Sequence, residues 1–171
     1  MSVAASYPDN MTTKASFNAE EWAVVTTAPA LTGLFVAASE PGGQLRESVA
    51  LSRAYAEARA KEPGELMEAI LTTAPTLSPQ ETPTPDAIRD RALGDLRRAV
   101  RLLDRIAQDD ELVAYKRFVY ALAEEVAHAH REGGFLGIGG KPVSEKEQAA
   151  LDAIAAIFDE PVPAVEDVAA Q

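Results

Sequence analysis

The chain contains no cysteine. Disulfides, thiolate zinc sites and thiol nucleophiles are therefore excluded, and a reducing, cytoplasmic setting is expected. Aromatic residues make up only 6% of the 171, with a single tryptophan. Histidine occurs twice, which limits any imidazole-based metal centre. Positive charge is scarce: 16 Lys and Arg stand against 27 Asp and Glu, for a net charge of −11. Nucleic-acid backbones and anionic lipid both need a cationic face, so neither is an expected partner. A cation or a basic protein suits this balance better. Alternation at period two is absent over any useful length, so no strand is predicted. G-x-S-x-G is absent as well, and no α/β scaffold is present to hold a Ser-His-Asp triad. No catalytic residue is assigned.

Alanine is the commonest residue, and Ala- and Leu-lined faces suit closely packed helices. The length supports one domain with a proper core. The expected fold is all-α, a single-domain bundle of five or six helices over residues 17–159. A flexible arm (1–16) precedes it, a proline-rich loop spans 75–85, and a loose acidic tail (160–171) follows.

The first helix should start at Asn18. Glu21 completes a capping box there, and Phe17 packs just before the cap. Residues 23–38 then carry no charge. A spanning helix needs about 20 apolar residues. This run holds three threonines, Pro29 and Gly33, and Glu20 and Glu21 precede it where a signal peptide would carry Lys or Arg. It reads as a buried helix of a soluble protein, kinked or split at Pro29. Trp22 reads as a core anchor.

A second helix over about 44–61 has a modest stripe of Leu45, Val49, Ser52, Tyr55 or Ala56, and Arg59. A short third helix should take Pro63 as its first residue and stop at Pro75. V-V-T-T-A-P at 24–29 is echoed by I-L-T-T-A-P at 70–75. The fourth helix carries the clearest signals. Thr84 caps it, Pro85 opens it, and Ile88, Ala92, Leu96, Ala99, Leu103 and Ile106 recur at helical spacing. Its arginine row, Arg97, Arg101 and Arg105, reads as a solvated face. Residues 108–111 should break the run. A fifth helix then buries Leu112, Tyr115, Val119, Leu122, Val126 and Ala129, and ends at Gly133-Gly134. The last begins at Ser144 with Glu147 as its box partner, and buries Ala150, Leu151, Ile154, Ile157 and Phe158.

Between the last two helices lies G-G-F-L-G-I-G-G-K-P, residues 133–142. As a P-loop it fails: Phe135 stands where the first glycine belongs, and Pro142 stands in place of Ser or Thr. It reads instead as a helix stop and a packed connection. Phe135, Leu136 and Ile138 form its apolar side, a candidate surface for a protein partner or a second copy of the chain. Glu125 and His128 are spaced E-x-x-H, which puts a carboxylate and an imidazole on one helix flank; Glu132 follows four residues on. Di-iron bundles use this spacing twice, with two further glutamates. Glu125, His128 and Glu132 are therefore the candidate ligands for a divalent metal. The competing account is a solvated flank with weak ion pairing. No other cofactor is indicated.

From Val113 to Phe158 the chain resembles the helix–loop–helix unit of tellurite-resistance TerB-like proteins. The likeness rests on Y-K-R-F-V-Y-A-L-A-E-E-V-A-H-A-H-R-E-G-G, the loop, and V-S-E-K-E-Q-A-A-L-D-A-I-A-A-I-F, in which Ser144 and Glu147 form the Ser-x-x-Glu helix start. The loop here is longer and richer in glycine than the family unit. The resemblance implies an all-helical, stress-associated protein that binds metal through acidic residues and acts by association. Three functions follow as expectations: a non-catalytic binding or scaffold protein, a metal-carboxylate protein that handles iron, and a small-molecule carrier with an apolar cavity between helices.

Overall fold

The structure, a computed structural model, describes residues 11–39, 44–61, 63–75, 84–131 and 143–160. It is all-α, a bundle of six α-helices with no strand among the described residues. The helices are α1 (Ala19–Ala38), α2 (Gln44–Ala60), α3 (Glu65–Thr72), α4 (Pro85–Ile106), α5 (Asp109–Arg131) and α6 (Glu145–Asp159).

Helix starts follow local chemistry closely. The Asn18 side chain accepts from the Glu20 and Glu21 N–H groups at 3.0 and 2.9 Å, and Glu21 returns a carboxylate to the Asn18 N–H at 3.0 Å. Phe17 and Trp22 flank that box with ring centroids 5.6 Å apart, a hydrophobic staple that sets the direction of entry. Both rings are buried. Thr84 accepts from the Ala87 N–H at 3.2 Å, and Ser144 accepts from the Glu147 N–H at 3.1 Å.

α1 is the central element and touches each of the other five helices, α4 most extensively. A helix surrounded on all sides has no polar face to keep, which explains why its apolar run has no amphipathic period. Twelve of its twenty residues are buried. By length and composition α1 could cross a membrane; within this fold it is the core helix. Its threonines are compatible with burial because they bond backward along the helix. Thr26 donates to the Trp22 carbonyl at 2.9 Å, and Thr32 donates to the Ala28 carbonyl at 2.8 Å.

Of the two expected outcomes at Pro29, a kink or a split, the split does not occur: α1 runs unbroken from Ala19 to Ala38. Proline cannot donate the bond that the Val25 carbonyl would otherwise accept. The Tyr115 hydroxyl on α5 takes that carbonyl instead, at 2.9 Å. The helix thus continues with its broken rung satisfied from outside.

Across from α1, α4 presents Ala92, Leu96, Ala99 and Leu103, all fully buried, on the predicted stripe. α6 buries Ala150, Leu151, Ile154 and Ile157. Two polar contacts hold its end. The Lys116 ammonium donates to the Phe158 carbonyl at 3.0 Å, and Arg97 donates to Glu160 at 2.9 Å. The arginine row is therefore divided: Arg97 is tied to Glu160, while Arg101 and Arg105 are exposed.

Several sequence-based boundaries shift. Lys14–Ser16 form a turn of 3-10 helix, and Thr12, though in the expected arm, is buried. Its hydroxyl donates to the Ile106 carbonyl at 3.4 Å, one of the acceptors left over at the end of α4. On α2, among residues 49–60, the buried ones are Ala50, Ala54 and Tyr55, whereas Val49, Ser52 and Arg59 face solvent; the burial of Leu45 lies outside what is described. α3 begins at Glu65 rather than Pro63, with Gly64 as its cap, and the Glu68 N–H reaches the Gly64 carbonyl at 2.9 Å. α5 begins already at Asp109 instead of after an acidic break. Asp109, Asp110 and Glu111 fill its first turn, where carboxylates favour the positive helix end, and Glu111 accepts from the Gln108 N–H at 2.9 Å.

Candidate binding cleft

Helices α2 and α5 run antiparallel. A Cβ on Gly33 of α1 would lie 2.8 Å from Leu51 and 2.9 Å from Leu122, so these two leucines meet over the same glycine. One turn along, Tyr55 packs edge-on against Phe118 with centroids 5.1 Å apart. Position thus rises along α2 from Leu51 to Tyr55 as it falls along α5 from Leu122 to Phe118. After Lys61 the chain turns back through Pro63 and Gly64 into α3. This short helix buries Leu66, Met67, Ile70 and Leu71.

The three helices do not close completely. They leave a cleft of about 680 Å³. Its apolar floor consists of Ala54, Met67, Leu71, Phe118 and Leu122, each at most 8% exposed. Charged residues stand on the rim. Lys61 and Arg117 flank one end, with Glu57, which is held by Arg53 at 2.8 Å. Glu124, Glu125 and His128 line the α5 wall further along. The antiparallel register puts Lys61, six residues beyond Tyr55, at the Arg117 end. The small residue Ala121 lies between the charges on α5 and keeps the wall low there.

The structure therefore brings two of the predicted ligands, Glu125 and His128, to one cleft on one helix flank. Glu132 lies outside the described residues, as do Phe135, Leu136 and Ile138 of the predicted partner surface and the whole glycine loop. Among the described residues no group of three or more His, Asp or Glu side chains is placed to hold a metal ion.

Below the cleft the polar chemistry is tyrosine chemistry. Burial pushes the Tyr55 phenol up to about 12, with nearby Arg59 acting in the opposite direction. Burial, with Tyr55 as a neighbour, raises Tyr115 well above its ordinary value. Both phenols therefore remain protonated as structural groups rather than acting as bases. Tyr115 is hydrogen-bonded; the Tyr55 hydroxyl is buried with no hydrogen-bond partner among the described residues.

Sequence reasoning does not single out Lys61, Met67 or Arg117. Their signal is present but faint. Ala114, Arg117, Ala121, Glu124 and His128 recur at steps of three and four, a second stripe on α5 beside the apolar one. The stronger apolar stripe masks it as the helix's interacting face. No protein-family model, no curated protein and no solved structure matches the chain.

Proposed function

We propose that the chain is a non-catalytic binding protein whose working surface is the cleft between α2, α3 and α5. One observation carries this reading: a cavity of about 680 Å³ with a buried apolar floor and a charged rim. That volume falls in the range of small-molecule sites, which combine apolar walls with a few polar groups that fix orientation. The likeness of α5, the loop and α6 to TerB-like proteins supports the same class, since it implies action by association.

Native mass spectrometry of the purified protein tests the proposal. A co-purified small molecule is expected, and filling the cleft with Ala121→Trp should remove it. Ala121 is exposed, so the substitution leaves the core intact. A bound species that persists in this variant would place the site elsewhere. A protein that carries no small molecule would count against the proposal.

A second reading makes Glu125, His128 and Glu132 the ligands of a divalent metal. What favours it is that Glu125 and His128 share one cleft wall. Stoichiometric metal lost on His128→Ala would support it. Metal-free protein with a Tm indifferent to added iron, zinc or manganese would remove it.

A further inference from the structure

The charges around the cleft are unevenly placed, with Lys61 and Arg117 toward one end and Glu124, Glu125 and His128 toward the other. Lys61 and Arg117 stand at one end, and neither forms an ion pair among the described residues. Glu57 also stands at that end, paired with Arg53 at 2.8 Å. Glu124 and Glu125 stand on the opposite side of Ala121, and neither enters a salt bridge among the described residues. Seven to eight helical residues separate Arg117 from these carboxylates, about 11 Å at 1.5 Å per residue. The floor between is apolar, with Met67, Phe118 and Leu122.

A purely anionic amphiphile would satisfy one end and face two carboxylates at the other. A purely cationic one would meet the converse problem. An occupant complementary to both ends carries an anionic group and a cationic group about 11 Å apart across an apolar body. A chain of three or four residues spans roughly that distance when extended, at about 3.3–3.6 Å per residue.

We infer that the cleft binds a short hydrophobic peptide with free termini, its carboxylate on Lys61 and Arg117, its amine on Glu124 and Glu125, and its side chains on the Met67–Phe118–Leu122 floor. This rests on the cleft being the working surface, and it adds the class and the orientation of the ligand. Each terminus is recognised by charge on the rim, while the apolar side chains supply the burial. The pairing of opposite charges also fixes direction, because a reversed peptide would set like charges together at both ends.

Isothermal titration calorimetry with trileucine tests this, alongside its N-acetylated and its C-amidated forms. The free peptide is expected to bind with one-to-one stoichiometry, and each blocked form at least tenfold more weakly. The double variant K61Q/R117Q should abolish discrimination between acid and amide while leaving the penalty for acetylation. The double variant E124Q/E125Q should do the reverse. The substituted side chains are on the rim, and unchanged circular dichroism shows that the variants fold. Blocked peptides that bind as well as the free one would overturn the inference and leave the apolar cleft as a binding site. The inference also falls, with the cleft retained, if trileucine does not bind at all while a co-purified ligand is lost on Ala121→Trp. Trileucine binding that is unchanged by Ala121→Trp would overturn both the inference and the choice of cleft.

Discussion

The Tyr115 hydroxyl lies 2.9 Å from the Val25 carbonyl oxygen and donates to the acceptor that Pro29 leaves without a rung partner. Both groups are fully buried, so water cannot substitute for either. An unpaired buried carbonyl costs about 1–3 kcal/mol. The tyrosine on α5 thus supports proline in the middle of the core helix. Tyr115→Phe is expected to lower stability by about 1–3 kcal/mol in urea denaturation. In a Pro29→Ala background the backbone N–H regained at that position can serve Val25, and the cost of losing the hydroxyl should shrink. Equal costs in the two backgrounds would show that the two residues are not coupled.

Tyr55 presents the opposite case. Its hydroxyl is buried without a hydrogen-bond partner among the described residues. Tyr55→Phe keeps the ring against Phe118 and removes the unsatisfied group, so stability should stay level or rise by up to about 1 kcal/mol. A loss larger than that would mean the hydroxyl makes a bond the packing does not reveal.

Alkaline pH acts through the same phenol. Its value is pushed up to about 12 from an ordinary 10.0. Between those values the folded state retains a proton that the unfolded state has lost, so stability falls as pH rises. The Tyr55 contribution is fully present below pH 10 and is lost through pH 12. Urea midpoints should be flat with respect to this group up to the lower limit and then decline. Tyr55→Phe should flatten part of the decline, with the remainder assigned to Tyr115. An identical alkaline limb in the variant would rule Tyr55 out as its source.

Gly33 lies where α1 approaches α2 and α5, under Leu51 and Leu122. A valine there would push both leucines aside. Overpacking of this kind costs about 1–3 kcal/mol. Thermal unfolding of Gly33→Val should show a clear drop in Tm, whereas Gly94→Val on α4, where a Cβ meets nothing within 4 Å, should not. Similar behaviour of the two variants would argue against close packing at Gly33.

At the start of α6, Ser144→Ala removes the acceptor of the Glu147 N–H, 3.1 Å away. The expected loss is about 0.5–2 kcal/mol by urea denaturation. Ser144→Asp should restore most of it, because aspartate caps as well as serine does. Failure of aspartate to rescue would shift the role of Ser144 from capping to packing.

Some of this architecture was decided by local sequence. Asn18 with Glu21, Thr84 with Pro85, and Ser144 with Glu147 set three helix starts, because each motif satisfies its own backbone donors within a single turn. The apolar stripes of α4 and α6 were legible for a related reason: a helix that buries one face must repeat at its own period. The echo T-T-A-P was not legible. At 26–29 the chain stays helical through its proline, while at 72–75 the helix ends at Thr72. Only in the first case does a hydroxyl from a helix some 90 residues away reach the carbonyl that proline abandons. The cleft escaped sequence reading in the same way. Lys61 and Arg117 are distant in the chain, and only the antiparallel packing of α2 on α5 brings them to one end of a shared floor.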